Sequence, residues 1–439
     1  MKRYRAYKPT GTNWISSVPI TWDVKKIVHL FSQRKEKVSD RDFPPLSVTK
    51  NGILPQLDNA AKTDDGDNRK RVCVGDFVIN SRSDRKGSCG VSALEGSVSL
   101  INIVLHPRSQ LTGNYAHYLL RSQPFSEEFY RNGRGIVADL WTTRYSEMKT
   151  ILLPVPPREE QDQIVRYLDW QVSKINRLIA AKRKEIERIQ EHLDKSIEIM
   201  FDKIASSSND SIPLGRHITS IESGTSVNSI MGTADNDSIG VLSTSCVYGN
   251  NFDLSQNKRV APSDYGRVSC PVKKNTLIIS RMNAPSLVGA CGFSEKDDTR
   301  VYLPDRLWQV RFDNALMPEY AWRYLSTKRI KSWFATIATG TSSSMKNITK
   351  PQLKSIQIPF PSLEKQAETV RRIKTLCDKC NAACHVFEES IMHLIDLRTR
   401  LISDVVTGQV DVRGIEVPEF EYVGEANEAG EHDEESEVG

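Results

Sequence analysis

No apolar run in this chain approaches the ~18–20 residues needed to cross a bilayer. The basic start, Met1-Lys2-Arg3-Tyr4-Arg5, leads into no apolar stretch with a cleavage site, which argues against a secretory signal. Cysteine is sparse. Eight are scattered over 439 residues, without the dense framework of a small secreted domain, and a reducing cytoplasm is expected. There is no Gly-x-x-x-x-Gly-Lys-Ser/Thr to cradle nucleotide phosphates. There is no Gly-x-Ser-x-Gly nucleophile turn, and no Asn/Asp-Pro-Pro-aromatic motif of the amino-methyltransferase kind. What remains is a globular composition, 38% hydrophobic and 26% charged, long enough for two to four domains.

The chain repeats itself. Residues 111–201 shifted by 205 positions fall on 316–406 without a gap. Tyr115-Ala116 meets Tyr320-Ala321, Phe129 meets Phe334, and Gly135 meets Gly340. The motif Ile151-x-x-Pro154-x-Pro156-x-x-Glu159-x-Gln161 recurs as Ile356-x-x-Pro359-x-Pro361-x-x-Glu364-x-Gln366. With gaps the repeat reaches further back, pairing Ser81-Arg82 with Ser280-Arg281 and Cys89-Gly90 with Cys291-Gly292. Two copies of one unit suit reading two separate things at once, which a single catalytic pocket does not require.

Charge follows the repeat. Residues 1–157 hold 24 Lys+Arg against 15 Asp+Glu, and residues 204–361 hold 18 against 12. Residues 158–203 balance at 10 against 10, and residues 362–408 at 7 against 7. The last 24 residues, from Glu416, hold ten acids and no Lys or Arg. Basic segments on neutral supports are what polyanion binding calls for, although moderate basicity also arises as ordinary surface charge.

The neutral segments read as long helices. Leu168, Val172, Ile175, Ile179, Ile186 and Ile189 alternate spacings of four and three around a polar Lys182, the seam of a coiled coil. Ile373, Cys377, Cys380, Cys384, Phe387, Ile391 and Leu394 form the second seam, continuing to Leu397 and Leu401, with Arg398 standing where the first copy has Leu193. The Pro-x-Pro pairs open each helix with acids in the first turn, and Gly408 suits a C-cap. A shared seam favours the two helices packing on each other over docking separately. The segments before them read as mixed α/β domains, with strands such as Phe77–Ile79 and Thr276–Ile279 among Gly, Ser and Asn turns. The expected division is 1–157, 158–204, 205–361, 362–408, and a disordered acidic tail at 409–439.

Polar loops in the two basic segments are the candidates for DNA contact: Arg82, Arg85, Lys86, Arg131 and Arg134 in the first, and Arg281, Asn283, Thr341, Ser343, Ser344, Lys346 and Asn347 in the second. Arginine can donate two bonds to guanine, Asn can pair with adenine, and Ser, Thr and Gly suit phosphate oxygens. The bland reading is ordinary polar surface loops. Cys377, Cys380, Cys384 and His385 look like a zinc set, but the three cysteines fall on the seam positions of Val172, Ile175 and Ile179, so packing is expected and no metal. Asp139, Glu147 and Lys149 suggest a Mg-dependent nuclease; their repeat partners, Ser344, Gln352 and Lys354, cannot supply that chemistry. A coiled-coil scaffold without DNA binding is a further alternative.

The order of these features resembles the DNA-specificity subunit of type I restriction–modification systems over nearly the whole chain to about Gly414. The matching stretches include Trp14-Ile15 with Val18-Pro19 and Trp22, Gly75 to Ile79, Ser280 to Asn283, Leu303-Pro304-Asp305 with Leu307-Trp308, Gly340 through Ile348, and Leu401 to Gly408. The resemblance implies an α+β fold with two mixed α/β target-recognition domains, separated by two long helices in an antiparallel coiled coil that act as a ruler. Each domain reads one half of a bipartite asymmetric site on double-stranded DNA. The subunit has no catalysis and no cofactor of its own. It recruits two methyltransferase subunits, which use S-adenosylmethionine, and through them restriction subunits driven by ATP with Mg. The expected setting is the cytoplasm of a bacterium or archaeon, with no membrane partner.

Overall fold

A computed structural model describes residues 2–57, 66–135, 141–208, 211–235, 237–340 and 345–424. The chain divides into two compact units. Unit 1 is Met1–Lys184 with Phe387–Gly439, and unit 2 is Glu185–Val386. These units cut across both long helices, so the helices are shared between the globular bodies instead of forming the separate segments 158–204 and 362–408.

Unit 1 is built on a four-stranded antiparallel sheet. Its strands are β1 (Phe31–Gln33), β2 (Phe77–Asn80), β3 (Cys89–Val91) and β4 (Asn102–Pro107), in the order β3-β2-β4-β1. Helices α1 (Gly113–Arg121) and α2 (Gln123–Arg131) follow. Thr112 caps α1, its hydroxyl accepting from the Tyr115 N–H at 3.0 Å. The long α3 (Arg158–Ser208) then runs out of the unit.

Unit 2 repeats this order. Its strands are β5 (Ile218–Ser223), β6 (Thr276–Ser280), β7 (Cys291–Ser294) and β8 (Leu307–Phe312), in the order β5-β8-β6-β7, all antiparallel. Helices α4 (Pro318–Leu325), α5 (Lys328–Ile337) and the long α6 (Leu363–Val406) follow.

The central strands are continuous apolar runs because both of their faces are buried. Leu277 and Ile279 of β6 pack with Tyr320, Phe334, Phe201 and Ile373 on the helical side. Ile278, pointing the other way, packs with Leu242, Val301 and Leu307 towards a second sheet. Val78 of β2 does the same in unit 1, meeting Val72, Val98 and Val104.

The Glu-x-Gln entries have a structural explanation. Gln161 is buried; its Nε2 donates to the carbonyls of Gln110 and Pro156 at 2.9 Å each, and its Oε1 accepts from the Thr112 N–H at 2.9 Å. Gln366 makes the same three bonds to Ala315, Pro361 and Met317. Each glutamine thus fastens the start of a long helix to the loop before α1 or α4.

The seams pair antiparallel within each unit. In unit 1, Asn176 meets Arg398, and the Lys182 ammonium lies 5.4 Å from the Phe387 ring centroid, so numbers rise on one helix as they fall on the other. In unit 2, Ile189 and His192 face Lys379, Cys380 and Ala383 across a cavity of about 310 Å³. Leu168, Val172, Ile175, Ile179, Ile373, Cys384 and Ile391 are buried, while Ile186, Ile189, Cys377, Cys380, Phe387 and Leu394 are half-buried. Leu397 departs from the expected seam: it is 51% exposed, and Arg398 turns inward in its place. Gly408 ends α6 at φ +74°, and a Cβ there would lie 2.4 Å from Pro19 Cδ.

The tail corrects an expectation. Residues 409–424 are not disordered but lie along α3 in unit 1. Gln163 donates to the carbonyls of Val412 (3.1 Å) and Ile415 (2.6 Å), Asn176 to Val423 (3.0 Å) and Arg177 to Glu421 (2.7 Å). Val412 is fully buried. Composition counted the acids, but the backbone carbonyls of Val412, Ile415, Glu421 and Val423 accept the bonds from α3, and Val410 and Val412 are buried. Residues 425–439 lie outside the described residues.

Candidate nucleic-acid interface

In unit 1 the fold gathers the polar loops onto one small surface. Residue Thr142 sits at its centre, bridged antiparallel to Arg82 on one side and to Arg134 on the other. Thr142 and Arg134 exchange two backbone hydrogen bonds of 3.0 Å. Ser83 donates to the Trp141 carbonyl at 3.1 Å, and Thr143 to that of Ser81 at 2.9 Å. The base is firm: the Trp141 indole donates to the Tyr130 carbonyl at 2.7 Å, the Thr143 hydroxyl donates to Phe129, and the Tyr130 hydroxyl reaches the Arg85 carbonyl at 3.2 Å.

Arg82, Arg85, Lys86, Arg131 and Arg134 are all exposed on this surface. Arg131 pairs with Glu128, Arg85 lies 3.9 Å from Asp84, and the Lys86 ammonium sits 6.0 Å from the Tyr130 ring centroid. Arg82 makes no ion pair among the described residues, and the charge of Arg134 helps to lower the Glu147 carboxyl pKa.

Unit 2 carries the same backbone frame. Asn347 exchanges hydrogen bonds of 3.0 and 2.8 Å with Thr339 and pairs with Met282 on its other side. Ile348 donates to the Arg281 carbonyl at 2.9 Å, as Thr143 does to that of Ser81.

That match corrects the pairing of the loops. Ile79 pairs with Cys89 and Ile279 with Cys291, so Ile79 is the counterpart of Ile279. Arg281 therefore corresponds to Ser81, and Arg82 to Met282. The equivalence of Ser81-Arg82 with Ser280-Arg281 is off by one residue. In a strand a one-residue shift reverses the face presented, so the two arginines do not play the same part. Arg281 is folded back instead: its Nε donates to the Asp305 carbonyl at 2.7 Å, and its guanidinium lies 4.0 Å from the Asp305 carboxylate.

Asn283 is also occupied internally. Its amide donates to Tyr248 Oη (3.0 Å) and Ser280 Oγ (3.2 Å), and its oxygen accepts from the Ala284 N–H (2.8 Å). It shapes the loop. Lys346 and Asn347 are half-buried, and the Asn347 Oδ1 is buried and meets no donor among the described residues. Thr341, Ser343 and Ser344 lie outside the described residues. Sequence reasoning missed Trp141, Thr142, Met282, Thr339 and Tyr248. The ungapped 205-residue shift, which sets Trp141 on Lys346 and Thr142 on Asn347, was the signal that could have found the first two of these.

The nuclease reading has less to work with. Asp139 lies outside the described residues. Glu147 is committed to the turn at Tyr145–Met148, accepting from Arg144 N–H (3.1 Å) and Ser146 Oγ (2.8 Å). Partial burial raises its carboxyl pKa, but these bonds outweigh burial and hold it below the ordinary value. Lys149 is exposed. No group of three or more His, Cys, Asp or Glu side chains is placed to hold a metal ion among the described residues.

The chain is similar to known proteins. Residues 241–385 match the family model of the type I restriction modification DNA specificity domain. The chain is 21% identical to the type I restriction enzyme EcoKI specificity subunit of Escherichia coli (strain K12) over 322 residues, covering 70% of this chain and 68% of that protein. A chain in a solved structure on complex assembly and conformational transition of the type I R-M system superposes with a TM-score of 0.54 at 16% identity, covering 90% of this chain and 99% of the other. The HsdS subunit from Thermoanaerobacter tengcongensis covers 90% of this chain and 98% of its own at 18% identity, with a TM-score of 0.40.

Proposed function

We infer that the chain is a specificity subunit of the type I restriction–modification family, and that units 1 and 2 each read one half of a bipartite DNA site. The observation that carries this is the repeated surface: one backbone frame, built twice, with Arg82, Thr142 and Arg134 on one copy and Met282, Asn347 and Thr339 on the other. A frame kept for stability alone has no reason to change its outward side chains so completely. A frame that reads two different base sequences does.

The subunit's part is binding and orientation. Phosphate contacts from exposed Lys and Arg set affinity and register, and base contacts set sequence. Two methyltransferase subunits, and restriction subunits with them, dock on this chain. The chemistry belongs to those partners: S-adenosylmethionine for methyl transfer, ATP and Mg for restriction. This chain contributes no catalytic group, and it works in the cytoplasm where the DNA is. Its helix pair supports the two reading surfaces.

A domain exchange tests the reading. Residues 205–361 are replaced by the matching segment of a relative, and genomic methylation is mapped at base resolution. One half of the methylated motif should change and the other should persist. Change in both halves, or in neither, would sink the two-reader function.

A further inference from the structure

The repeated surface allows a finer assignment. In an antiparallel ladder, directly paired residues point to the same face. Arg82, Thr142 and Arg134 are paired in series, so their side chains project as a row across three short strands. Met282, Asn347 and Thr339 form the same row in unit 2. Neighbouring strands lie ~4.8 Å apart, which sets the outer members of each row about 10 Å from one another. That is about three base-pair steps at ~3.4 Å each.

We propose that these two rows are the base-reading elements, and that they give the half-sites opposite base preferences. This rests on the DNA-reading function above. Row 1 ends in two exposed guanidinium groups, each on a backbone bridged to Thr142. Arginine's planar fork matches guanine O6 and N7. The half-site of unit 1 therefore contains two G·C pairs about three steps apart. Row 2 carries no cation. Its central Asn347 has a buried amide oxygen that meets no donor among the described residues. A carboxamide pairs bidentately with adenine N6 and N7, while Met282 and Thr339 offer apolar contacts to thymine methyls. The half-site of unit 2 is therefore A·T-rich at the row, with an adenine opposite Asn347. Arg281 and Asn283, both tied to neighbouring protein groups, position the loop and read nothing.

The test uses the full chain in complex with its methyltransferase partner and maps methylated sites at base resolution. Arg82→Lys and Arg134→Lys keep the charge but lose the fork. Each should cost roughly tenfold to a hundredfold in discrimination at one G·C position of one half-site and leave the other half intact. Asn347→Asp keeps the shape but removes the donors, so preference at one position of the other half should move from adenine towards cytosine. Melting curves of all three should match the parent chain. The proposal is overturned if the lysine variants keep the motif unchanged, or if the wrong half relaxes. It is also overturned if Arg82→Ala and Arg134→Ala weaken all sequences alike and each lowers the salt dependence by about one ion, which marks phosphate contacts. If the unsubstituted chain directs no motif at all, the DNA-reading function itself fails, a separate and recognisable result.

Discussion

Arg398 donates from Nη1 to the Oδ1 of Asn176 at 2.8 Å, and both side chains are buried in the helix pair of unit 1. Asn176 in turn donates to the Val423 carbonyl, so one amide joins α3, α6 and the tail. The repeat-related positions in unit 2 are Leu193 and Asn381, and there the asparagine is exposed. The two ends of the helix pair are therefore chemically different, although they descend from one pattern.

A buried polar pair is costly to break from one side. Arg398→Ala strands the Asn176 oxygen and should destabilise unit 1 by about 1–3 kcal/mol. Asn176→Ala removes one acceptor of the buried guanidinium and leaves the Val423 carbonyl without its donor, and should cost a similar amount. The double variant should cost clearly less than the sum, because the residues share one interaction. Denaturant unfolding of the two single variants and the double variant measures this. Simple additivity would show that the pair is not coupled.

The tail makes a second prediction. A chain ending at Gly424 should melt like the whole protein, since every described tail contact is retained. A chain ending at Gly414 loses the bonds from Gln163 to Ile415, from Asn176 to Val423 and from Arg177 to Glu421. Each such bond is worth about 1 kcal/mol net, so the melting temperature should fall by a few degrees. Equal melting of the two truncations would show that the strap adds nothing to stability.

His117 sets a pH dependence. It is half-buried beside Arg121, and loss of solvent first, then that cation, pushes its pKa down to about 3. Its Nδ1 accepts from the Val91 N–H at 3.3 Å. That bond is lost when the imidazole must take a proton. The unfolded chain binds that proton near pH 6.5, whereas the folded chain resists it down to about 3. The stabilisation is therefore full above pH 6.5 and is lost progressively between there and pH 3, at up to ~1.4 kcal/mol per pH unit. His117→Gln should flatten the acid limb of the stability curve over that window. An unchanged slope would place the acid sensitivity elsewhere.

By itself the sequence determined the elements whose signals are local: the double copy, both long helices, their Pro-x-Pro openings, the inner faces around Leu168–Ile179, and the cap at Gly408. Periodicity of 3.6, proline's missing donor and a glycine's positive φ act within a few residues, so they can be read in one dimension. Only the tertiary structure decided what depends on pairing across loops of unequal length. The strand register moved Arg281 onto the position of Ser81, because insertions between the copies hide a one-residue slip that reverses a side chain's face. The same pairing brought Trp141 and Thr142 between the two arginine loops. The acidic composition of the tail concealed the backbone carbonyls that fasten it along α3, and the burial of Arg398 became intelligible only with Asn176 opposite it. Such contacts join residues more than two hundred positions apart, and their stability comes from burial that no local spacing records.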